Sequence, residues 1–271
     1  MDRLNSYRYH GLMARLLNKD TIIVAVIWIC PSLAGEVLLF VYGEHMFPVQ
    51  GSTQALIVDD AFFLLVALGI PIFLLVVTSV IYSLVRFSNN SDDIEDAKPV
   101  SFHKGFAWTW LMVSSVLCLG VIIFPGYTGL LELRSTANTP PDLLIEVTGQ
   151  RWIWTFEYID QKTHEPIVKL RGANETLVLP NESLIRFKIT ALDSDVLHSF
   201  WIPAFRLKID AVPGLVTSLD VTTNRIGNYE DDINYRVQCA ELCGVSHSTM
   251  MNKVEVIDKD EFEKWLTEKK K

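Results

Sequence analysis

The stretch 61-AFFLLVALGIPIFLLVVTSVIYSLV-85 holds no charged side chain and exceeds the roughly 20 apolar residues needed to cross the hydrocarbon core of a bilayer. A second run, 106-FAWTWLMVSSVLCLGVIIFPGYTGLL-131, has the same property. Pro71, Gly120 and Pro125 inside these runs would count against a helix in water but are tolerated in lipid. The two runs predict membrane helices over 57–87 and 104–131. A third candidate, 21-TIIVAVIWICPSLAGEVLLFVY-42, follows a basic N-terminus over 1–20 (Arg3, Arg8, Arg15, Lys19). We read 21–42 as a first membrane helix, with a signal segment ending near Ser32 and Ala34 as the alternative. It carries Glu36, and an acid inside a span is a candidate functional group, although its place near the outer end also lets it reach the interface.

Orientation follows from Lys and Arg near the membrane ends. The basic N-terminus stays in the cytoplasm, residues 43–56 carry neither Lys nor Arg, and Arg86, Lys98 and Lys104 return the next loop inside. The segment from 132 onward therefore emerges on the outer face.

That segment, 132–271, is different material. Apolar and polar residues alternate over 143–149, 151–158, 177–180, 183–191, 196–203, 216–223, 234–239 and 252–257, broken by Asn, Asp, Gly and Pro. Short strands at close spacing predict a sandwich or Greek-key barrel. The last stretch, 258-DKDEFEKWLTEKK-270, predicts a short helix with an acidic first turn, a basic last turn, and Phe262, Trp265 and Leu266 on one side. The outer segment holds more Asp and Glu than Lys and Arg, and the whole chain has a formal charge of −8. That balance suits a solvated surface or a basic protein partner and argues against nucleic acid.

Of four cysteines, Cys30 and Cys118 fall in apolar spans, where a small buried hydrophobe is expected. The other two open a series in 239-CAELCGVSHSTM-250. A disulfide is the simplest expectation for an outer-face pair, yet His247 and Met250 continue the spacing. Thiolate, imidazole and thioether form a soft ligand set, and Met is a familiar weak axial ligand for copper. Zinc sites favour a closely spaced histidine pair that this stretch lacks. One blue copper uses one Cys and two His. Two thiolates are one too many for that, whereas two bridging thiolates serve two copper ions, each wanting its own imidazole. His10 and His103 fall on the cytoplasmic side, His45 just past the first helix, and His164 in the polar turn 160-DQKTHEPI-167. His198, in 193-DSDVLHSFWIP-203, remains as the second imidazole.

The string 239-CAELCGVSHSTM-250, with 195-DVLHSF-200, 206-RLKIDAVPG-214 and 149-GQRWIWTFEY-158, resembles subunit II of cytochrome c oxidase, a member of the haem-copper oxidases. The resemblance covers the second and third membrane helices and the whole outer segment. It implies a helical hairpin, here with an extra N-terminal helix, joined to a cupredoxin-like Greek-key barrel. It also implies a dicopper centre, CuA, bridged by Cys239 and Cys243, with His198 and His247 on one ion each. Met250 is then a weak ligand to one ion and the backbone carbonyl of Glu241 to the other, while the Glu241 side chain contributes to a magnesium or manganese site at subunit I. Trp152 matches the tryptophan through which the electron from cytochrome c arrives, and Asp195 sits where the family often places an acidic docking residue.

The implied setting is a bacterial plasma membrane, with the copper domain on the periplasmic face and subunit I, other oxidase subunits, cytochrome c and lipid as partners. The implied function is to accept electrons from cytochrome c and pass them to haem in subunit I, where oxygen is reduced to water. Two alternatives compete: a copper-domain subunit of a nitric oxide reductase, and a membrane-tethered copper carrier. One departure stands out. Many relatives have a glutamate three residues before the Trp-Thr that opens the second hairpin helix, at the mouth of a proton channel, and here Gly105 precedes Trp108-Thr109. His103 or the acids Asp92, Asp93, Glu95 and Asp96 are the candidate replacements.

Overall fold

The computed structural model describes residues 18–88 and 104–270. Arg3, Arg8, Arg15, His10, Lys98 and the candidate proton-route residues Asp92, Asp93, Glu95, Asp96 and His103 lie outside the described residues. The chain divides into two compact units, residues 1–46 with 62–121, and residues 47–61 with 122–271.

The first unit is helical: α1 (Lys19–Tyr42), most of α2 (Thr53–Arg86) and α3 (Lys104–Val121). The segments Lys19–Met46, Thr53–Arg86 and Lys104–Leu133 have mean hydropathies of 2.3, 2.8 and 2.1, and each is long and apolar enough to cross a membrane. Their large apolar side chains, such as Phe40, Phe73 and Val85, point outward, a surface that only lipid or another apolar partner satisfies. Cys30 and Cys118 are exposed on these helices rather than buried, because in a span the apolar preference is met by lipid as readily as by a core. The Trp28 indole donates to the Pro71 carbonyl at 2.8 Å. At the other end of α2, Tyr82 and Arg86 donate to Asp20 at 2.6 and 3.2 Å. Glu36 is half-buried on α1.

The second unit holds two sheets. Its strands are β1 (Leu143–Gln150), β2 (Ile153–Ile159), β3 (Pro166–Arg171), β4 (Thr176–Pro180), β5 (Leu184–Ala191), β6 (His198–Trp201), β7 (Lys208–Ala211), β8 (Thr217–Thr222), β9 (Gly227–Asn228), β10 (Arg236–Cys239) and β11 (Met251–Ile257). One sheet runs β3-β2-β1-β5-β8 and the other β4-β11-β10-β6-β7, with β9 added on β11. Parallel pairing of β1 with β5 and of β4 with β11 makes this a mixed, cupredoxin-like sandwich. Alternate residues of β2 and β5 (Trp154, Phe156, Tyr158; Ile185, Phe187, Ile189) are fully buried between the sheets, the two-residue period of a strand with one face in the core. The Tyr158 hydroxyl donates to the Val178 carbonyl at 2.8 Å and accepts from the Val178 N–H at 3.0 Å, so its polar end is satisfied inside that core.

Helix α4 (Thr128–Leu133) follows a break. Phe124 takes extended angles, φ −135° and ψ 121°, as a residue before proline is pushed out of the helical region. The expected helix over 104–131 is therefore interrupted at this point. At the C-terminus α5 (Lys259–Lys269) is capped by Asp258, which accepts from the Asp260 N–H at 2.9 Å. Its Phe262 and Trp265 pack on Tyr158, with ring centroids 6.2 and 5.2 Å away.

Residues 47–61, the lead-in and first turns of α2, are fastened to the sandwich. The Gly51 N–H donates to the Ala204 carbonyl at 2.9 Å, and Ser52 bridges to Thr223. The Thr222 N–H donates to the Gln54 side chain at 2.9 Å. Arg206 makes a two-pronged ion pair with Asp59 at 2.7 and 2.9 Å and also donates to the carbonyls of Pro48, Val49 and Pro203. Both side chains are at most 10% exposed. Removing one member of such a pair strands the other charge in low dielectric. Asp59→Ala should therefore lower unfolding stability by about 3 kcal/mol, read from thermal melts of the full chain in detergent, whereas exchange of Glu230, which pairs with Lys253 on the exposed surface, should leave the melt essentially unchanged.

Candidate metal centre

The site is assembled from the ends of two strands, β6 and β10, and one loop. His198 opens β6, which pairs with β10 so that Cys239 stands opposite Phe200. Beyond Cys239 the chain makes an eleven-residue excursion and returns: the Ala240 N–H donates to the Ser199 carbonyl at 3.0 Å, and the Cys239 N–H donates to the Met250 carbonyl at 3.0 Å. A short 3₁₀ turn over His247–Thr249 lets the His247 N–H reach the Gly244 carbonyl at 3.1 Å. These bonds pull six donor groups together.

The distances divide the donors into two halves. Nδ1 of His198 lies 3.8 Å from Sγ of Cys239, and the carbonyl oxygen of Glu241 lies 3.2 Å from the same sulfur. Nδ1 of His247 lies 3.5 Å, and Sδ of Met250 3.8 Å, from Sγ of Cys243. The two sulfurs are 3.8 Å apart and unbonded. Each thiol thus has its own imidazole and its own weak donor. Cys239, Cys243 and Met250 are at most 3% exposed and His198 is fully buried; His247 is half-buried, and Glu241, exposed, turns only its carbonyl inward.

A metal pair fits this set on three counts. Metal–sulfur bonds run near 2.3 Å for zinc-sized ions, so sulfurs 3.8 Å apart can both reach a shared ion. Burial, and then the neighbouring Cys239, push the Cys243 thiol up to about 12; two adjacent thiolates in this setting need positive charge beside them. Burial also lowers the pKa of His198, which keeps its ring neutral and able to ligate.

Trp152 comes from the turn between β1 and β2. Its indole N–H donates to the Cys243 carbonyl at 3.1 Å, and its ring lies against Gly244, where an added Cβ would come within 3.3 Å of it. Trp154 is wholly buried in the core, edge-on to the rings of His198 and Phe200. Gly149 lets the His198 and Trp154 rings close in: a Cβ there would meet them at 3.0 and 3.1 Å. Asp195 is not offered to a docking partner, because its side chain is only 4% exposed and is held by Arg151. Sequence reasoning missed both Arg151, whose only signal was its adjacency to Trp152, and the two glycines, whose role is defined by rings distant in sequence. His164 sits in the β2–β3 turn with φ 59°, and neither it nor His45 belongs to the cluster.

A membrane-anchored, cupredoxin-like sandwich with a buried sulfur-rich donor cluster is a defined class of protein, and the comparisons agree with it. Residues 143–257 match the cytochrome c oxidase subunit II periplasmic domain. A cytochrome c oxidase subunit 2 from Rickettsia bellii is 30% identical over 221 residues, covering 76% of this chain and 77% of the relative. One from Thermostichus vulcanus is 27% identical, covering 90% and 85%. The solved periplasmic domain of subunit II from Bradyrhizobium japonicum is 29% identical, covering 48% of this chain and 95% of its own, with a TM-score of 0.42. The chain belongs to the family of subunit II of cytochrome c oxidase, part of an oxidoreductase complex.

Gly244 and Gly172 both carry positive φ, 115° and 119°, but only Gly244 has a neighbour within 4 Å of an added Cβ. The backbone strain of an alanine is thus matched at the two positions, of order 1–3 kcal/mol each. Gly244→Ala should destabilise the chain more than Gly172→Ala in thermal melts, and the excess should vanish in a Trp152→Ala background.

Proposed function

We propose that this chain is the electron-accepting subunit of a terminal haem-copper oxidase. It takes electrons from a cytochrome c at a dicopper centre and passes them to haem in subunit I, where oxygen is reduced to water. The single observation that carries this reading is the division of six donors into two halves, each a thiol with one imidazole and one weak donor, about an unbonded thiol pair.

When bound, a copper pair supplies a site that accepts and releases one electron shared over two ions. Cys239 and Cys243 would hold it through their sulfurs and His198 and His247 through Nδ1, with Met250 Sδ and the Glu241 carbonyl as the weak donors. The chain's own part is to keep these groups still. Cys239 is locked by the β6–β10 ladder, His198 by its pairing with Ala211 of β7, and His247 by the 3₁₀ turn, so little atomic motion would accompany a change of charge. The six donors fill two ligand halves without drawing on water, a set that favours a relay over catalysis at the metal. A copper carrier would need exchangeable, exposed ligands, whereas His198, Cys239, Cys243 and Met250 are buried.

Trp152 provides the outer contact. Its partly buried indole offers a flat polarisable face, and its N–H meets the backbone of a ligand residue. The exposed Glu241 carboxylate would add a ligand to a magnesium or manganese ion at subunit I. The helices over 21–42, 57–87 and 104–131 would lie in the lipid of a bacterial plasma membrane, with the Lys and Arg pattern placing 132–271 on the periplasmic side.

The full chain, purified in detergent and loaded with copper, should hold two ions per chain with a hyperfine pattern shared over both; a Cys239–Cys243 disulfide in the working form, preferred zinc, or one labile copper would overturn the reading. Trp152→Phe should keep that spectrum while slowing reduction by reduced cytochrome c by at least about tenfold, or ~1.4 kcal/mol of barrier, measured by stopped flow.

A further inference from the structure

Asp195 is placed by sequence at a docking position, and the structure puts its carboxylate to a different use. Oδ2 accepts from the Arg151 backbone N–H at 2.7 Å, and Oδ1 accepts from the Val196 N–H at 2.7 Å and pairs with the Arg151 guanidinium at 2.5 Å. The same Oδ2 lies 3.9 Å from Nε2 of His198. That nitrogen is fully buried and has no hydrogen-bond partner. His198 turns its other nitrogen, Nδ1, toward Cys239. An imidazole that ligates through Nδ1 carries its proton on Nε2, and a buried N–H without an acceptor costs about 1–3 kcal/mol. Ligating histidines regularly give that second N–H to a carboxylate, which fixes the ring and raises its basicity.

We propose that Asp195 is a positioning residue of the metal centre: it accepts the Nε2–H of His198 when that ring ligates through Nδ1, and it simultaneously ties down the backbone N–H of Arg151, the residue that precedes Trp152. One carboxylate then sets both the orientation of a ligand ring and the seat of the indole. The loop geometry supports this use. The turn over 192–195 is closed by the Asp195 N–H donating to the Leu192 carbonyl at 2.8 Å, and the Leu192 N–H donates to the Gly149 carbonyl at 3.0 Å. The carboxylate is thereby held between β6 and the β1–β2 turn, with Arg151, 48% exposed, covering its outer side and neutralising it. A neutralised, covered anion contributes little to long-range attraction of a basic partner.

The inference rests on the dicopper reading of the site, and its test separates the two. The full chain is purified in detergent, loaded with copper and compared with Asp195→Asn, which preserves shape and removes the charge. The variant is expected to bind two coppers with an altered hyperfine pattern, a raised reduction potential because a nearby anion has gone, and a copper dissociation constant weaker by about 10–100-fold. The ionic-strength dependence of its reduction by cytochrome c should match that of the parent. A parent chain lacking the shared hyperfine pattern overturns the site assignment itself. A normal parent with a variant of identical spectrum and potential overturns the role of Asp195, and the docking role replaces it if only the salt dependence falls. If Asp195→Asn does not fold, Arg151→Gln takes its place. Leaving the carboxylate but removing its cation should lower the potential, and an unchanged potential overturns the proposal.

Discussion

The ladder between β10 and β6 is the constraint on which the rest of the site depends. It fixes Cys239 beside the strand that begins with His198, and so joins two parts of the chain forty-one residues apart. Cys243, His247 and Met250 then need only a local loop, because the Met250 carbonyl returns to the Cys239 N–H. Long-range order is supplied once, by sheet pairing, and the remaining donors are placed by hydrogen bonds within a few residues. The core behind the ladder, with Trp154, Phe187 and Phe200 in contact, resists displacement because close-packed interiors do not deform continuously.

Much of this was legible in the sequence, and the exceptions have physical causes. Apolar runs of span length located the three long apolar helices, since hydropathy is summed over many residues and tolerates local error. Strict alternation located β1, β2 and β5. It failed for β3, whose first residue is a proline following polar turn residues, and for β7 and β9, which are too short to show a period. The strand expected over 196–203 begins only at His198, because Asp195 closes a turn with Leu192 just before it. Hydropathy also could not reveal that α2 starts at Thr53. Its polar first turns, with Gln54 and Asp59, are stabilised by partners more than a hundred residues away.

The donor set was legible because soft ligands are rare and their spacing is local. What surrounds it was not. The burial of Asp195 and its grip on Arg151 depend on a turn meeting a turn, and no residue within either stretch signals the other. A family resemblance assigns the position a surface role, yet the same residue type in a covered, neutralised setting serves the ring next to it. Chemistry at a given position is decided by solvent access as much as by side-chain identity.

The two unbonded sulfurs carry a consequence for biogenesis. Thiols 3.8 Å apart need only a small approach to join, and the compartment facing a periplasmic domain is oxidising. If these thiols take metal as proposed, arrival of metal and arrival of oxidant would be in a race over the same atoms. On the proposed reading, a newly exported chain would have to be kept reduced, or reduced again, until its metal is seated; coordination would then protect the sulfurs from the fate that their closeness invites.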